Sequence, residues 1–133
     1  MKINFSIIIF LILSVFFYSC DTNNFIDYNV INSTSGTVKV SYNKLLPSNS
    51  STNDTTIFLS PNEQQTIITM SVFASGAYNP EGADTIMMLP TFVVYLNDTI
   101  PSTFNLKKTK YWNYHSISKH HGELVLNLYD SLF

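Results

Sequence analysis

Apolar and polar residues alternate along most of the chain after residue 24. In the clearest example Val38, Val40 and Tyr42 fall on one face of an extended segment, while Lys39 and Ser41 fall on the other. A period of two residues is typical of a strand with one buried face. Segments of this kind, separated by turn-forming residues, predict strands over residues 25–32, 37–42, 56–60, 64–74, 85–89, 92–96, 99–104 and 123–129.

Turn chemistry indicates how some of these strands connect. Asn97 and Asp98 both tolerate positive φ, so we expect a tight hairpin between residues 92–96 and 99–104. Pro101 cannot donate a backbone hydrogen bond, which favours an edge position for the returning strand. We also expect residues 37–42 to form the second arm of a hairpin that begins with residues 25–32.

Two segments are less regular. Residues 64–74 carry apolar side chains on both faces, which predicts a central strand between two layers. Residues 107–118 fit no single pattern. The last strand is expected to direct Leu124, Leu126 and Leu128 inward. The whole pattern predicts an all-β fold, a single antiparallel β-sandwich, with no helix after residue 20. An immunoglobulin-like topology stays open, because the Cys…Trp…Cys pattern of immunoglobulin domains is absent.

The first twenty residues follow a different pattern. A basic start at Lys2 precedes a nearly unbroken apolar run over residues 3–18, and Ser19 and Cys20 follow. Such a run is typical of a secretory signal helix and is short for a membrane span. Ser19-Cys20 resembles the lipobox of bacterial lipoproteins, in the relaxed form common in Bacteroidota, with Phe17 and Tyr18 before it.

The lipobox resemblance implies three segments. Residues 1–19 would be a lipoprotein signal peptide, residues 20–24 a lipidated tether, and residues 25–133 the β-sandwich domain. Cys20 would carry diacylglycerol, and two or more acyl chains anchor a protein stably to a membrane. The domain would then lie in the cell envelope, at the outer membrane or cell surface. An uncleaved N-terminal membrane anchor is the alternative.

The rest of the chain is similar to small, uncharacterised β-sandwich lipoproteins of the Bacteroidota. The resemblance rests on residues 32–36 before Val38, on the turn at 59–63 before a long strand, on the hairpin at 92–98, and on the surroundings of Trp112 before a final strand. It implies an envelope lipoprotein and carries over no reaction and no catalytic residue.

Composition narrows the classes of partner. The formal charge is −2 at pH 7 and there is no arginine, so nothing indicates nucleic-acid binding. The single cysteine excludes an intrachain disulfide. The sequence has no glycine-rich phosphate loop, no recognisable nucleophile motif and only scattered carboxylates, so we expect neither catalysis nor a cofactor.

Two clusters carry candidate chemistry. His115, His120, His121 and Glu123 are metal-ligand types, but adjacent histidines in a strand point to opposite faces, so a solvated turn is favoured over a metal site. The second cluster combines lysines at 107, 108 and 110 with three aromatic residues. It is a candidate glycan site, with the alternative that the tryptophan fills the core; its aromatic members are Tyr111, Trp112 and Tyr114.

A short repeated motif indicates modification. Asp followed by Ser or Thr and then an apolar residue or Thr occurs more often than this composition predicts, and it resembles the O-glycosylation site of exported Bacteroidota proteins. The alternative is that Asp-Thr marks the junction of a turn and a strand. The candidate O-glycosylation sites are Thr55, Thr85, Thr99 and Ser131.

Together these features predict a non-catalytic envelope lipoprotein that binds a protein or a glycan. A lipid-tethered inhibitor or immunity protein is the alternative, with residues 43–55 as its inhibitory loop. A small hydrolase is a third, weaker hypothesis, because it would need polar groups that converge in a pocket.

Overall fold

The computed structural model describes residues 24–44, 54–72, 84–86 and 88–133, and these residues form two packed four-stranded sheets. The predicted leader, Cys20 and most of the predicted inhibitory loop lie outside the described residues. The strands are β1 (Asn24–Asn32), β2 (Val38–Asn43), β3 (Asp54–Leu59), β4 (Gln64–Val72), β5 (Phe92–Leu96), β6 (Ile100–Pro101), β7 (Trp112–Ser118) and β8 (His121–Leu128). The all-β sandwich is confirmed.

The two sheets differ in the direction in which their strands pair. Sheet I has the order β4-β1-β8-β7, and sheet II has the order β3-β2-β5-β6. Sheet I is mixed, because β1 pairs in parallel with β8 and antiparallel with β4. Short 3₁₀ turns at Thr109–Tyr111 and Asp130–Leu132 precede β7 and follow β8.

Alternation along the strands builds the core between the sheets. The predicted inward faces of 37–42 and 123–129 are confirmed, since Val38, Val40, Tyr42 and the three leucines of β8 are all buried. Each fully buried aliphatic side chain contributes about 1.5–3 kcal/mol relative to an exposed one. The remaining core side chains from the strands include Ile26, Tyr28, Val30, Leu59, Phe92, Val94 and Trp112.

The predicted hairpin between β1 and β2 is wrong, because the two strands belong to different sheets. The chain crosses between the sheets directly after Asn32. The fully buried side chain of Asn32 donates to the carbonyls of Gly36 and Leu59, each at 2.8 Å, and its Oδ1 accepts hydrogen bonds from Thr34. These hydrogen bonds hold the end of β1 against the loop and the end of β3, where the chain passes into the opposite sheet.

The predicted central position of residues 64–74 is also wrong, because β4 is an edge strand of sheet I. Its apolar residues on both faces have another cause. The register with β1 jumps between Tyr28 and Asn29, which leaves Ile67 as an extra residue. This β-bulge turns both Ile67 and Ile68 inward, and both are buried.

The predicted strand over residues 85–89 is wrong for the four residues of this range that the structure describes, 85, 86, 88 and 89. Thr85 makes one isolated bridge to Lys108, and the amide of Leu89 donates to the carbonyl of Ile86 in a turn. Ile86 and Leu89 are nevertheless buried, so these two side chains fill the core without belonging to a strand.

The hairpin around Asn97 and Asp98 is confirmed. Both residues have positive φ, at 50° and 63°, and they connect β5 to β6. The returning strand is only two residues long rather than six. The amide of Ser102 still donates to the carbonyl of Val94 on β5, but the amide of Thr103 donates to the carbonyl of Leu132, so the chain leaves β5 at this point. Its predicted edge position is also confirmed.

Candidate binding groove

A groove of about 510 Å³ opens beside β7, the edge strand of sheet I. No described strand pairs with the outer side of β7. A second hollow of about 380 Å³ shares Thr109 and Lys110 with the groove and adds Asp84 and Lys108. The groove therefore brings together most of the aromatic cluster predicted from the sequence; its lining residues are Thr109, Lys110, Trp112, Asn113, Tyr114, His115 and Leu124.

Trp112 is a core residue that contributes only part of its surface to the groove. Its side chain is 5% exposed, and the indole Nε1–H donates to the carbonyl of Leu106 at 2.8 Å. The ring contacts Tyr28 edge to face and packs against Phe92, with centroid distances of 5.9 and 5.8 Å. An indole held in this way has no free face on which a sugar ring could stack.

The two tyrosines of the cluster are half-buried and differently supported. Tyr111 packs against Phe104, and the ammonium of Lys110 lies 5.0 Å from the centre of the Tyr111 ring. Tyr114 lies over Gly122 of β8: a Cβ added to Gly122 would stand 2.6 Å from the tyrosine hydroxyl. Glycine at this position therefore gives the Tyr114 ring its place beside the groove.

The lysines near the groove divide into two kinds. Lys107 donates to the carbonyl of Pro90 at 2.6 Å, so it supports the loop. Lys108 and Lys110 are exposed and line the groove or the hollow next to it. Asp84 is the carboxylate that accompanies them, so the described side chains give this region a surplus of positive charge.

The predicted histidine cluster is dispersed over separate partners. His120 Nδ1 lies 3.0 Å from Asn24 Oδ1, and His121 Nε2 lies 2.8 Å from Asp27 Oδ2. His115 is opposite Glu123 in the register, but Glu123 accepts its hydrogen bond from Asn29 at 2.7 Å. Within the described ranges no three His, Cys, Asp or Glu residues are placed to hold a metal ion.

Asp27 is the centre of a polar network on the outer face of sheet I. Thr69 donates to one carboxylate oxygen at 2.5 Å, and His121 approaches the other. Burial raises the pKa of Asp27, but the hydrogen bonds from Thr69 and His121 and the charge of His121 together lower it below its ordinary value.

The candidate O-glycosylation sites differ in exposure. Thr85, Thr99 and Ser131 are exposed, whereas Thr55 is half-buried in β3 opposite Tyr42. Thr99 closes the β5–β6 turn, where the neighbouring Asp98 pairs with Lys39 at 2.6 Å. Thr55 lies near the start of β3 and Thr99 lies in the β5–β6 turn, positions that are compatible with both interpretations of the motif.

Sequence reasoning missed the structural role of Asn32 and the Asp27–His121 pair. Asn32 ends an apolar run, Val30-Ile31, and a lone amide at the end of a buried strand was the available signal. Asp27 and His121 are 94 residues apart, so only the parallel pairing of β1 and β8 reveals their contact.

Comparison with known proteins does not assign this chain to a family. No helix among the described residues is long and apolar enough to cross a membrane. Neither family models, nor curated proteins, nor solved structures gave a match to this chain.

Proposed function

We propose that this protein is a lipid-anchored, non-catalytic envelope protein that binds an extended segment of a partner protein along the free edge of β7. The anchor is Cys20, at the end of the apolar leader. The observation that carries the binding proposal is a seven-residue edge strand with an open groove beside it. An unpaired strand edge presents backbone donors and acceptors that an extended peptide can satisfy.

Two of the four edge strands in the described sheets, β6 and β7, differ in how their edges are protected. β6 is two residues long and contains Pro101, which are common ways to prevent edge-to-edge pairing. β7 contains neither proline nor a Lys, Asp or Glu side chain. Its regular pairing with β8 is interrupted only at Ile117, the extra residue of a bulge near its end. The first five residues of β7 are therefore a regular template on which a partner segment could add a fifth strand to sheet I.

The side chains of the groove indicate what kind of segment would bind. Lys108 and Lys110 favour a partner segment with acidic residues, since opposite charges steer association and set the register. Tyr114 and the accessible part of Trp112 offer an apolar wall for a side chain of that segment. We therefore propose an acidic, extended partner segment with at least one apolar side chain.

A glycan is the second candidate ligand. It is supported by Lys110, Asn113 and Tyr114, which combine donors with one half-buried ring at the groove. Because the indole of Trp112 packs in the core, the groove lacks the large free ring on which sugar binding usually depends. For this reason the protein partner takes precedence.

The binding proposal is tested by site-specific photo-crosslinking in intact cells. A benzoylphenylalanine at Asn113, which is exposed on β7, should give a discrete crosslinked protein product. The control position is Ser41, on the outer face of sheet II. The double substitution Lys108→Glu and Lys110→Glu should reduce the Asn113 product at least about tenfold, the effect of losing roughly 1.4 kcal/mol of binding.

Equal products from both positions, or a product unaffected by the lysine substitutions, would contradict binding at β7. Retention on immobilised glycans that the same substitutions abolish would support the glycan instead. The anchor is tested separately. Lipid labelling and leader cleavage should be lost in Cys20→Ser, and protease treatment of intact cells shows whether the domain faces outward. A Cys20→Ser chain that remains in the membrane at full length would indicate an uncleaved anchor.

A further inference from the structure

We infer that the end of sheet I at which β1 begins is a membrane-contacting rim, formed by Phe25, Ile117 and Lys119. This inference rests on the proposed lipid anchor at Cys20. Its partner is the lipid surface itself rather than a protein. Two features support it: the short length of chain between Cys20 and β1, and the side chains that the sheet exposes at this end.

The tether length limits how far the domain can stand from the bilayer. Cys20 precedes Asn24, the first residue of β1, by four residues. Four residues span at most about 14 Å when fully extended. A lipid on Cys20 therefore holds the start of β1 within one short tether of the headgroups.

Strand direction places three elements at this same end. β8 runs parallel to β1 and starts with His121 opposite Phe25, while β7 runs the other way and ends with Ser118 opposite His121. The turn that contains Lys119 joins β7 to β8, and the amide of Phe25 donates to the carbonyl of His120 at 2.8 Å. Phe25 and Ser118 are thus separated by one strand, about 10 Å across the sheet.

The side chains at this end suit a lipid–water interface. Phe25 is 43% exposed and Ile117, the bulged residue of β7, is 54% exposed. Lys119 is exposed in the turn between β7 and β8. Apolar side chains that enter the headgroup boundary, together with a cation that attracts anionic lipids, are the combination that surface-bound segments use.

The position of the groove agrees with this orientation. Trp112 is paired with Leu126, which lies beside Val30, so the start of β7 is at the opposite end of sheet I from Phe25. When the rim lies on the membrane, the end of the groove lined by Lys110 and Trp112 lies at the far end of the sheet from it. A partner segment can then reach β7 without displacing lipid.

The test measures the depth of a single probe on the full-length lipidated protein in vesicles. Lipidation blocks the thiol of Cys20, so Ile117→Cys introduces one free thiol for a fluorescent label. The matched control is Phe58→Cys, since Phe58 is 57% exposed on the outer face of sheet II beside Lys39. The vesicles contain phosphatidylcholine and phosphatidylglycerol, with a nitroxide quencher on the headgroup or upper acyl chain.

We expect the lipid nitroxide to quench the label at 117 at least about threefold more than the label at 58, with the reverse order for aqueous iodide. Phe25→Ser and Lys119→Glu should each reduce the difference. Equal quenching at the two positions on a protein whose Cys20 carries lipid would overturn the rim and leave the anchor intact. A Cys20 without lipid, detected by mass or by its own labelling, would overturn both the anchor and the rim.

Discussion

The side chains at the two ends of β1 differ in their burial and in where they form hydrogen bonds. At the end of the strand, Asn32 is fully buried, and its amide group takes part in four hydrogen bonds within the protein. At the start of the strand, Phe25 is nearly half exposed, and Asp27 and His121 form their contacts on the outer surface of sheet I. We call the Asn32 end the closed end, because its side chain forms its hydrogen bonds within the protein. We call the Phe25 end the open end, because its side chains are exposed or form their contacts at the surface.

The difference separates side chains that the fold requires from side chains that are available for contact with another surface. A buried amide must form its hydrogen bonds within the protein, because an unmatched buried group costs about 1–3 kcal/mol. The hydrogen bonds of Asn32 therefore hold the closed end in place, where the chain passes from sheet I to sheet II. The open end has exposed apolar and polar groups that contribute little to the fold, so they are available for contact with a surface.

The largest effect should come from breaking the closed end. Asn32→Ala removes four hydrogen bonds and leaves the buried carbonyl of Leu59 without its side-chain donor. We expect a loss of about 3 kcal/mol in the free energy of unfolding. Chemical denaturation measures this loss. Asn113→Ala, at an exposed position of β7, is the control and should cost less than about 0.5 kcal/mol. Similar values for the two variants would refute a structural role for the hydrogen bonds of Asn32.

An intermediate effect is expected at Gly122, close to the open end. In Gly122→Ala the new methyl would lie 2.6–2.9 Å from three atoms of Tyr114, so the ring must move. We expect a cost of about 1–3 kcal/mol. In a Tyr114→Ala background the same change should cost less than about 0.5 kcal/mol, because the obstacle is gone. Equal costs in both backgrounds would mean that the ring does not constrain Gly122.

The smallest effect should come from the surface network at the open end. Asp27 has a pKa lowered below its ordinary value, so its contribution to stability is present at neutral pH and is lost as pH falls through that lowered pKa. In Asp27→Asn the fall in stability as pH drops below the ordinary range of an Asp carboxyl should be shallower than in the wild type, by less than about 1 kcal/mol. Denaturation curves at several pH values measure it. A steeper fall in the variant would reverse the sign of this interaction.

Local patterns determined much of the fold. The alternation in 37–42 and 123–129 specified which side chains are buried, because one face of each strand meets the core. Asn97 and Asp98 specified a hairpin because their residue types tolerate positive φ. Pro101 specified an edge position because it lacks the backbone donor that a central strand needs. Each of these properties belongs to a few consecutive residues, so the sequence was sufficient.

The candidate site was only partly predictable. The sequence brought Tyr111, Trp112, Tyr114 and the lysines together because they are neighbours in the chain. It left open whether Trp112 faces a ligand or the core, and contacts with Tyr28 and Phe92, residues far away in the chain, decided for the core. The space beside Tyr114 also depends on Gly122, which belongs to another strand.

The sequence by itself therefore determined most of the extended segments and their apolar faces, although it missed β7 and predicted a strand at 85–89 that does not form. Only the tertiary structure decided that β1 and β2 lie in different sheets, that β1 pairs in parallel with β8, and that β7 is an edge strand among the described residues, beside a groove. The physical reason is distance along the chain. Periodicity and turn chemistry act over a few residues, whereas strand order depends on hydrogen bonds such as those of Asn32 to Leu59 and of His121 to Asp27, which join residues 27 and 94 positions apart.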